Sequence, residues 1–202
     1  MAALLLPAIA AAQGVESIPS APVPHDSRRF DAALSGFGQV STNSDGNFIR
    51  VDTTESIGGL ASFRQPYRSW AGYEINYGYT KFSESYNKAL LTRVQDNVHE
   101  ISAAYLLQSP TGYYGFQGFI TVGTGMMIIS PTSAGGKGYS SQLLPLFVYS
   151  VGINHLVMSD HIGIRVQYRA EVYKTPNFNN VLLDSHTLRT TMDPTIGAYF
   201  RF

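Results

Sequence analysis

The side chains best suited to chemistry in this chain are its histidines, hydroxyls and carboxylates, and they fall into three local groupings. His155 and His161 flank Ser159 and Asp160, Asp184-Ser185-His186 are consecutive, and His99 precedes Glu100. A Ser–His–carboxylate set would serve acyl transfer or hydrolysis, the imidazole acting as base toward the hydroxyl. Each grouping, however, lies in or beside an extended, alternating segment. Adjacent residues on a strand point to opposite faces, so closeness in sequence separates these groups instead of joining them. The fifth histidine, His25, sits in a lead-in holding Pro19, Pro22 and Pro24. Metal ligation has no foundation either, with no His-x3-His pair on one strand face, no Asp-x-Asp-x-Asp loop and no cysteine. Ala134-Gly-Gly-Lys-Gly138 lacks the spacing of a phosphate-cradling loop. The expectation is no catalytic residue, no cofactor and no metal.

A second set of charged residues is spaced differently, two apart along strands. From His161 to Tyr173, Ile162, Ile164, Val166, Tyr168, Ala170 and Val172 share one face; Arg165, Gln167, Arg169 and Glu171 share the other. The pattern recurs. Tyr73, Ile75, Tyr77 and Tyr79 oppose Glu74, Asn76 and Thr80; Ile101, Ala103, Tyr105 and Leu107 oppose Glu100 and Ser102. Phe147, Tyr149, Val151 and Ile153 oppose Ser150 and Asn154, and Ile196, Ala198, Phe200 and Phe202 oppose Thr195, Tyr199 and Arg201. Three further strands are expected near 30–41, 57–64 and 114–129, the first two glycine-rich and of undetermined facing; in the third, Ile120 and Val122 oppose Gln117, Thr121 and Gly123. Pro145 should sit near a rim or bulge, since it has no donor for a ladder.

The elements that must position these rows are therefore eight antiparallel strands. Between them the connections run 42–56, 65–69, 84–96, 108–113, 130–142, 155–160 and 174–188, strictly alternating long and short. Long outer loops and short inner turns are the habit of membrane β-barrels. The composition agrees. Charged residues are 14% of the 202, aromatic residues 12%, with 13 Tyr and 19 Gly, and the net charge is zero, which argues against nucleic acid as a partner. Aromatics gather at both expected interfaces, Tyr67, Trp70, Tyr105, Tyr113, Tyr114 and Phe202 at one and Tyr79, Phe82, Tyr86 and Tyr139 at the other. Residues 1–12 are read as a signal peptide with a truncated start, Ala10 and Ala12 preceding the cleavage point. Residues 13–29 are read as a disordered periplasmic lead-in, and 30–202 as the barrel.

The last eight residues, Thr195-Ile-Gly197-Ala-Tyr-Phe200-Arg-Phe202, resemble the β-signal of outer-membrane proteins: a polar residue, then Gly, then alternating apolar positions ending in an aromatic. With the eight-strand pattern, residues 30–202 resemble the OmpA-transmembrane-domain-like family of small outer-membrane barrels. The resemblance implies an all-β, eight-stranded, antiparallel, up-and-down transmembrane barrel. It also implies that Thr195, Gly197, Phe200 and Phe202 are read by the barrel-assembly machinery, and that both termini are periplasmic.

An eight-stranded barrel has an interior that side chains can fill. The inward rows then bring Glu74, Glu100, Arg165, Arg169, Glu171 and Arg201 into one lumen, with Arg64 near its lower rim. Opposite charges in so narrow a space should pair, because each unpaired would be costly to desolvate. The functional expectation is a monomeric, non-enzymatic barrel with a plugged lumen. Its partners would be outer-membrane lipid and lipopolysaccharide, with a possible extracellular partner on the four long loops. Two alternatives remain: a lipid A acyl hydrolase or transferase, although no His and Ser two apart followed by Asn and Gly is present, and a soluble lipocalin-like carrier, which would need the opposite polarity of faces.

Overall fold

The computed structural model describes residues 30–46, 49–87, 91–133, 138–158, 161–180, 183 and 185–202; the expected signal peptide and lead-in lie outside them. Ten strands follow in chain order: β1 (Asp31–Ser41), β2 (Ser44–Gly46), β3 (Ile49–Thr53), β4 (Ser56–Pro66), β5 (Ala71–Asn87), β6 (Leu91–Gln108), β7 (Phe116–Pro131), β8 (Gln142–Met158), β9 (Ile162–Lys174) and β10 (Leu188–Arg201). Every pairing between them is antiparallel. β1 and β2 are successive parts of one stave, and β3 and β4 of the next, so the ten strands make eight staves. Each stave pairs with its chain neighbours, and β1 against β10 closes the ring, from Asp31↔Arg201 to Ser41↔Thr191. The result is the closed eight-stranded barrel that the alternation predicts.

The faces divide as expected, and with the polarity a carrier lacks. Outward side chains are apolar and bare: Leu34 is 73% exposed, Ile57 84% and Ile196 63%. Inward ones such as Arg64, Glu74, Arg165 and Arg169 are buried. This is the reverse of a soluble ligand-carrying barrel. The two staves of undetermined facing are now fixed. Asp31, Ala33, Ser35, Phe37 and Gln39 point inward on β1, and Leu60, Ser62 and Arg64 on β4.

Three of the four long connections are shorter than the sequence suggests. Residues 44–53 are the paired strands β2 and β3, β5 and β6 run to Asn87 and from Leu91, and β7 and β8 leave 132–141 between them. Only 175–187 keeps roughly its expected length. The physical reason is a change of polarity along the staves. At 17 and 18 residues, β5 and β6 far exceed the ~9–11 that cross a hydrocarbon core. Beyond Lys81 the outward residues turn polar while the inward row turns apolar, with Phe82, Tyr86, Val94, Ile129 and Leu144 buried. A reading that seeks apolar residues on the outward row ends the strands too early.

Of the four strand prolines, Pro66 and Pro131 end their strands, and Pro145 and Pro194 stand where one ladder can spare a donor. Pro145 is one residue past the last β8–β9 pair on that side, Leu146↔Tyr173, but it lies within the β7–β8 ladder, three residues inside β8 and not at the rim expected for it. Pro194 lies where the β1–β10 ladder lapses, between Phe37↔Thr195 and Val40↔Met192.

Candidate functional site

The lumen is filled by inward residues in layers that run from the turn end, where Phe30 and Phe202 lie, to the loop end. In the first layer β4 contributes Arg64, β5 Glu74, β1 Asp31 and β9 Arg165. Cross-strand register places Arg64 opposite both Glu74 and Asp31. The Arg64 Nε donates to Glu74, whose other oxygen accepts from Asn76 at 2.8 Å. Arg165 donates to Asp31 at 2.7 Å and to Asn154 at 2.9 Å. Both guanidinium groups gather on rings: Arg64 stands 3.9 Å from the Phe119 centroid and Arg165 5.2 Å from that of Tyr199. Delocalised, weakly hydrated guanidinium planes suit such a packed interior better than ammonium groups would.

The second layer centres on Arg169 of β9. It donates to Glu100 of β6 and to Glu171 two residues along its own strand, with Ser102 at 3.3 Å and Asp193 of β10 at 3.8 Å. Gly78 stands directly opposite Glu100, and a Cβ there would come within 2.9 Å of a Glu100 oxygen. Its bare backbone makes room for the carboxylate. The same device recurs with rings. Phe37 faces Gly58, Phe119 faces Gly152 and Tyr199 faces Gly163, each pair directly opposed on neighbouring strands. A Cβ at any of the three glycines would lie 2.2–2.5 Å from the facing ring. Small opposite large lets a narrow interior close. A void of about 10 Å³ beside Glu100 and Glu171 is at the lower limit for one water molecule.

The third layer joins Arg189 of β10 to Glu84 of β5, both fully buried. The Tyr86 hydroxyl lies 2.5 Å from Glu84 and 2.9 Å from the Pro176 carbonyl. Around and above it the interior is apolar: Val51, Phe82, Val94, Val98, Met127, Ile129, Leu144, Leu146, Val148 and Tyr173. The connection after β9 folds over this core and inserts Phe178 and Leu183 into it. Gln142 holds that cap, its amide oxygen accepting from the backbone N–H of Asn177 and Phe178 at 3.1 Å each. Phe178, Asn179 and His186 in it have φ of +50° to +57°, which for a bulky residue such as Phe178 is strain that the packing must hold.

Five of the six expected lumen charges thus lie in two layers: Glu74 and Arg165 in the first, Glu100, Arg169 and Glu171 in the second. Arg201 stands apart. It is half-buried at the turn end, 5.6 Å from the Tyr199 ring, and joins neither layer. Arg64, expected at a rim, is a full member. Asp31, Asp193, Glu84 and Arg189 were not anticipated. The loop-end half of the lumen is mainly apolar, with Asp96 and the Arg189–Glu84 pair buried among its side chains, not polar throughout as expected.

The terminal motif closes the ring. Thr195 is buried and its hydroxyl donates to the Asp193 carbonyl at 2.9 Å. A Cβ at Gly197 would stand 2.4 Å from the Leu34 carbonyl oxygen across the seam. Phe200 and Phe202 lie outward with centroids 5.0 Å apart, and the Phe202 N–H donates to Phe30. The histidine groupings make no dyad among the described residues. His99 points outward and bonds Tyr77, while Glu100 is inside. His155 stacks on Phe116, and Ser185 is buried beside Thr187. Ser159, Asp160 and Asp184 lie outside the described residues. Among the described residues no group of three His, Cys, Asp or Glu could hold a metal.

Comparison with solved structures decides the fold family. The outer-membrane protein OprG of Pseudomonas aeruginosa superposes with a TM-score of 0.61 at 12% identity, covering 87% of this chain and 96% of OprG. This chain has the fold of the small eight-stranded outer-membrane barrels. Neisserial surface protein A is similar at a TM-score of 0.58 and 11% identity, over 86% of this chain and 97% of that one. The attachment invasion locus protein Ail of Yersinia pestis matches at 0.50 and 14%, over 86% and 99%. No protein-family model and no curated protein sequence matches the chain.

Proposed function

We propose that this protein is a monomeric, non-enzymatic outer-membrane barrel that contributes structure and a surface for interaction, and that its lumen does not conduct ions. One observation carries the reading: three layers of buried arginine–carboxylate contacts, on Arg64 with Arg165, on Arg169 and on Arg189, cross the interior under an apolar cap. An ion entering would have to part charges that are already paired in a low-dielectric space, and then pass a tightly packed, mostly apolar section that also holds Asp96. In this reading the assembly machinery recognises Thr195, Gly197, Phe200 and Phe202, both termini are periplasmic, and the outer membrane's lipid and lipopolysaccharide surround the apolar belt. The four loop-end connections are what remains for an extracellular partner.

Planar-bilayer recording on the purified, refolded barrel tests the closed lumen. The expected trace is flat, or shows only brief small events. A large, stable conductance from the unaltered protein would refute it.

A further inference from the structure

The outward surface is not uniform around the barrel. On the staves near the ring closure the outward row at the loop end keeps aliphatic residues, as at Val40, Ile57 and Leu188. On β5 and β6 it changes in a fixed order. Tyr77 and Tyr79 close the aromatic belt, and His99 lies between them, its Nδ1 2.8 Å from the Tyr77 hydroxyl and its ring 5.0 Å from that of Tyr79. The Tyr79 hydroxyl donates to Asn97 Oδ1 at 3.3 Å. Directly opposite Asn97 is Lys81, and four residues further along β5 Ser85 faces Arg93. Lys81 and Arg93 are both exposed and neither forms an ion pair among the described residues. The carboxylates on the same two strands, Glu84, Asp96 and Glu100, all point inside. On the neighbouring stave Asp52 is held by Arg50 at 2.9 Å, while Glu55 stands exposed alongside residues 80–83 of β5.

We infer that the outward surface of β5 and β6 is a docking site for a phosphorylated lipid headgroup of the surrounding membrane. The chemistry is complementary. With the Tyr77 hydroxyl donating to Nδ1, the tautomer this reading requires, the His99 Nε2 carries the proton and can donate, and Asn97, fixed by its oxygen, keeps its amide N–H. Lys81 and Arg93 supply two full charges at the height where acyl chains give way to headgroups. Lysine and arginine just beyond an aromatic belt are placed to meet lipid phosphate. The tyrosine rings below present an apolar wall for the chains of the same lipid. The charges are ~13 Å apart along the strand, which suits a headgroup carrying more than one phosphate.

The inference rests on the membrane-barrel reading, and the test separates the two. The full barrel is refolded in detergent and titrated, by native mass spectrometry, with bis-phosphorylated lipid A, its mono-phosphorylated form and phosphatidylcholine. Heat-modifiable gel migration is recorded in parallel. The expected order of affinity follows phosphate count, with phosphatidylcholine last. Lys81→Gln/Arg93→Gln should weaken bis-phosphorylated lipid A binding by about tenfold or more. Lys81→Arg/Arg93→Lys should retain it. Lys174→Gln, outward on β9 across the barrel, should leave it unchanged. Equal binding by wild type and the Gln double variant, equal loss in Lys174→Gln, or displacement by millimolar inorganic phosphate would each overturn the lipid site while the barrel stands. Absence of heat-modifiable migration in the wild type would instead overturn the barrel.

Discussion

Arg169 shows how the lumen is held at the level of single residues. Its guanidinium sits between Glu100 and Glu171 with almost no contact with water. Replacing it with Met leaves the carboxylates of Glu100, Glu171 and Asp193 facing one another in a dry space, and breaking a buried pair in this way typically costs about 3–5 kcal/mol. Arg169→Met should lower the midpoint of urea unfolding from lipid vesicles accordingly. Adding Glu100→Gln, Glu171→Gln and Asp193→Asn should recover much of the loss, because the uncompensated charge is then gone. Arg201→Gln, at the rim and outside both layers, should cost less than about 1 kcal/mol. Comparable losses for Arg169→Met and Arg201→Gln would mean that the layers do not hold the barrel together.

The two arginines also mark how far the sequence could be read. Arg165, Arg169 and Glu171 were legible because they alternate with unbroken apolar neighbours on β9. Asp31 was not, because β1 carries Gly36 and Gly38 on its outward row and few large side chains to show its facing. Asp193 was hidden beside Pro194, which reads as a break. Glu84 falls in the expected connection 84–96 and Arg189 directly after 174–188, although Phe82-Ser-Glu84-Ser-Tyr86 alternates as strictly as any strand. Its apolar residues face inward, and the signal was present with its sign reversed.

At the level of elements, closure of the ring depends on β10 lying tightly along β1. Gly197 permits this, since any Cβ would press on the Leu34 carbonyl oxygen and the Ser35 side chain. Two backbones cannot both give way without loss of the ladder from Asp31↔Arg201 to Phe37↔Thr195. Gly197→Val should therefore impair assembly more than Ala198→Val, which alters the neighbouring outward position where lipid has room. The measurement is the fraction of protein showing the compact, heat-modifiable band after refolding. Equal yields from the two variants would show that the seam tolerates a side chain, and that the glycine of the terminal motif serves recognition alone. The eight staves and their order followed from alternation and turn spacing. Their lengths did not, because each stave continues past the membrane with the opposite rule for which row is apolar.

That reversal is a property of the whole molecule. Between the turn end and the level of Lys81 the barrel is apolar outside and polar inside; beyond it, β5, β6 and β7 turn polar outside and the staves enclose a mainly apolar core. One strand therefore serves two solvents, and the crossover should coincide with the edge of the hydrocarbon. An arginine placed outward at different heights measures this directly. Val166, 43% exposed and outward on β9, pairs with Ile153 and Ile196 inside the belt. Ser130, outward on β7, pairs with Asn97 at the crossover. Val166→Arg should cost about 2–4 kcal/mol in reversible unfolding from vesicles, and Ser130→Arg about 0–1 kcal/mol, since the penalty for a cation on the lipid face falls steeply toward the interface. In detergent-free buffer the gap cannot be compensated by solvent, because nothing covers the belt and the apolar row has no partner. If Val166→Arg proved as mild as Ser130→Arg, the outward apolar rows would not be meeting hydrocarbon, and the polarity of the staves would need a different cause.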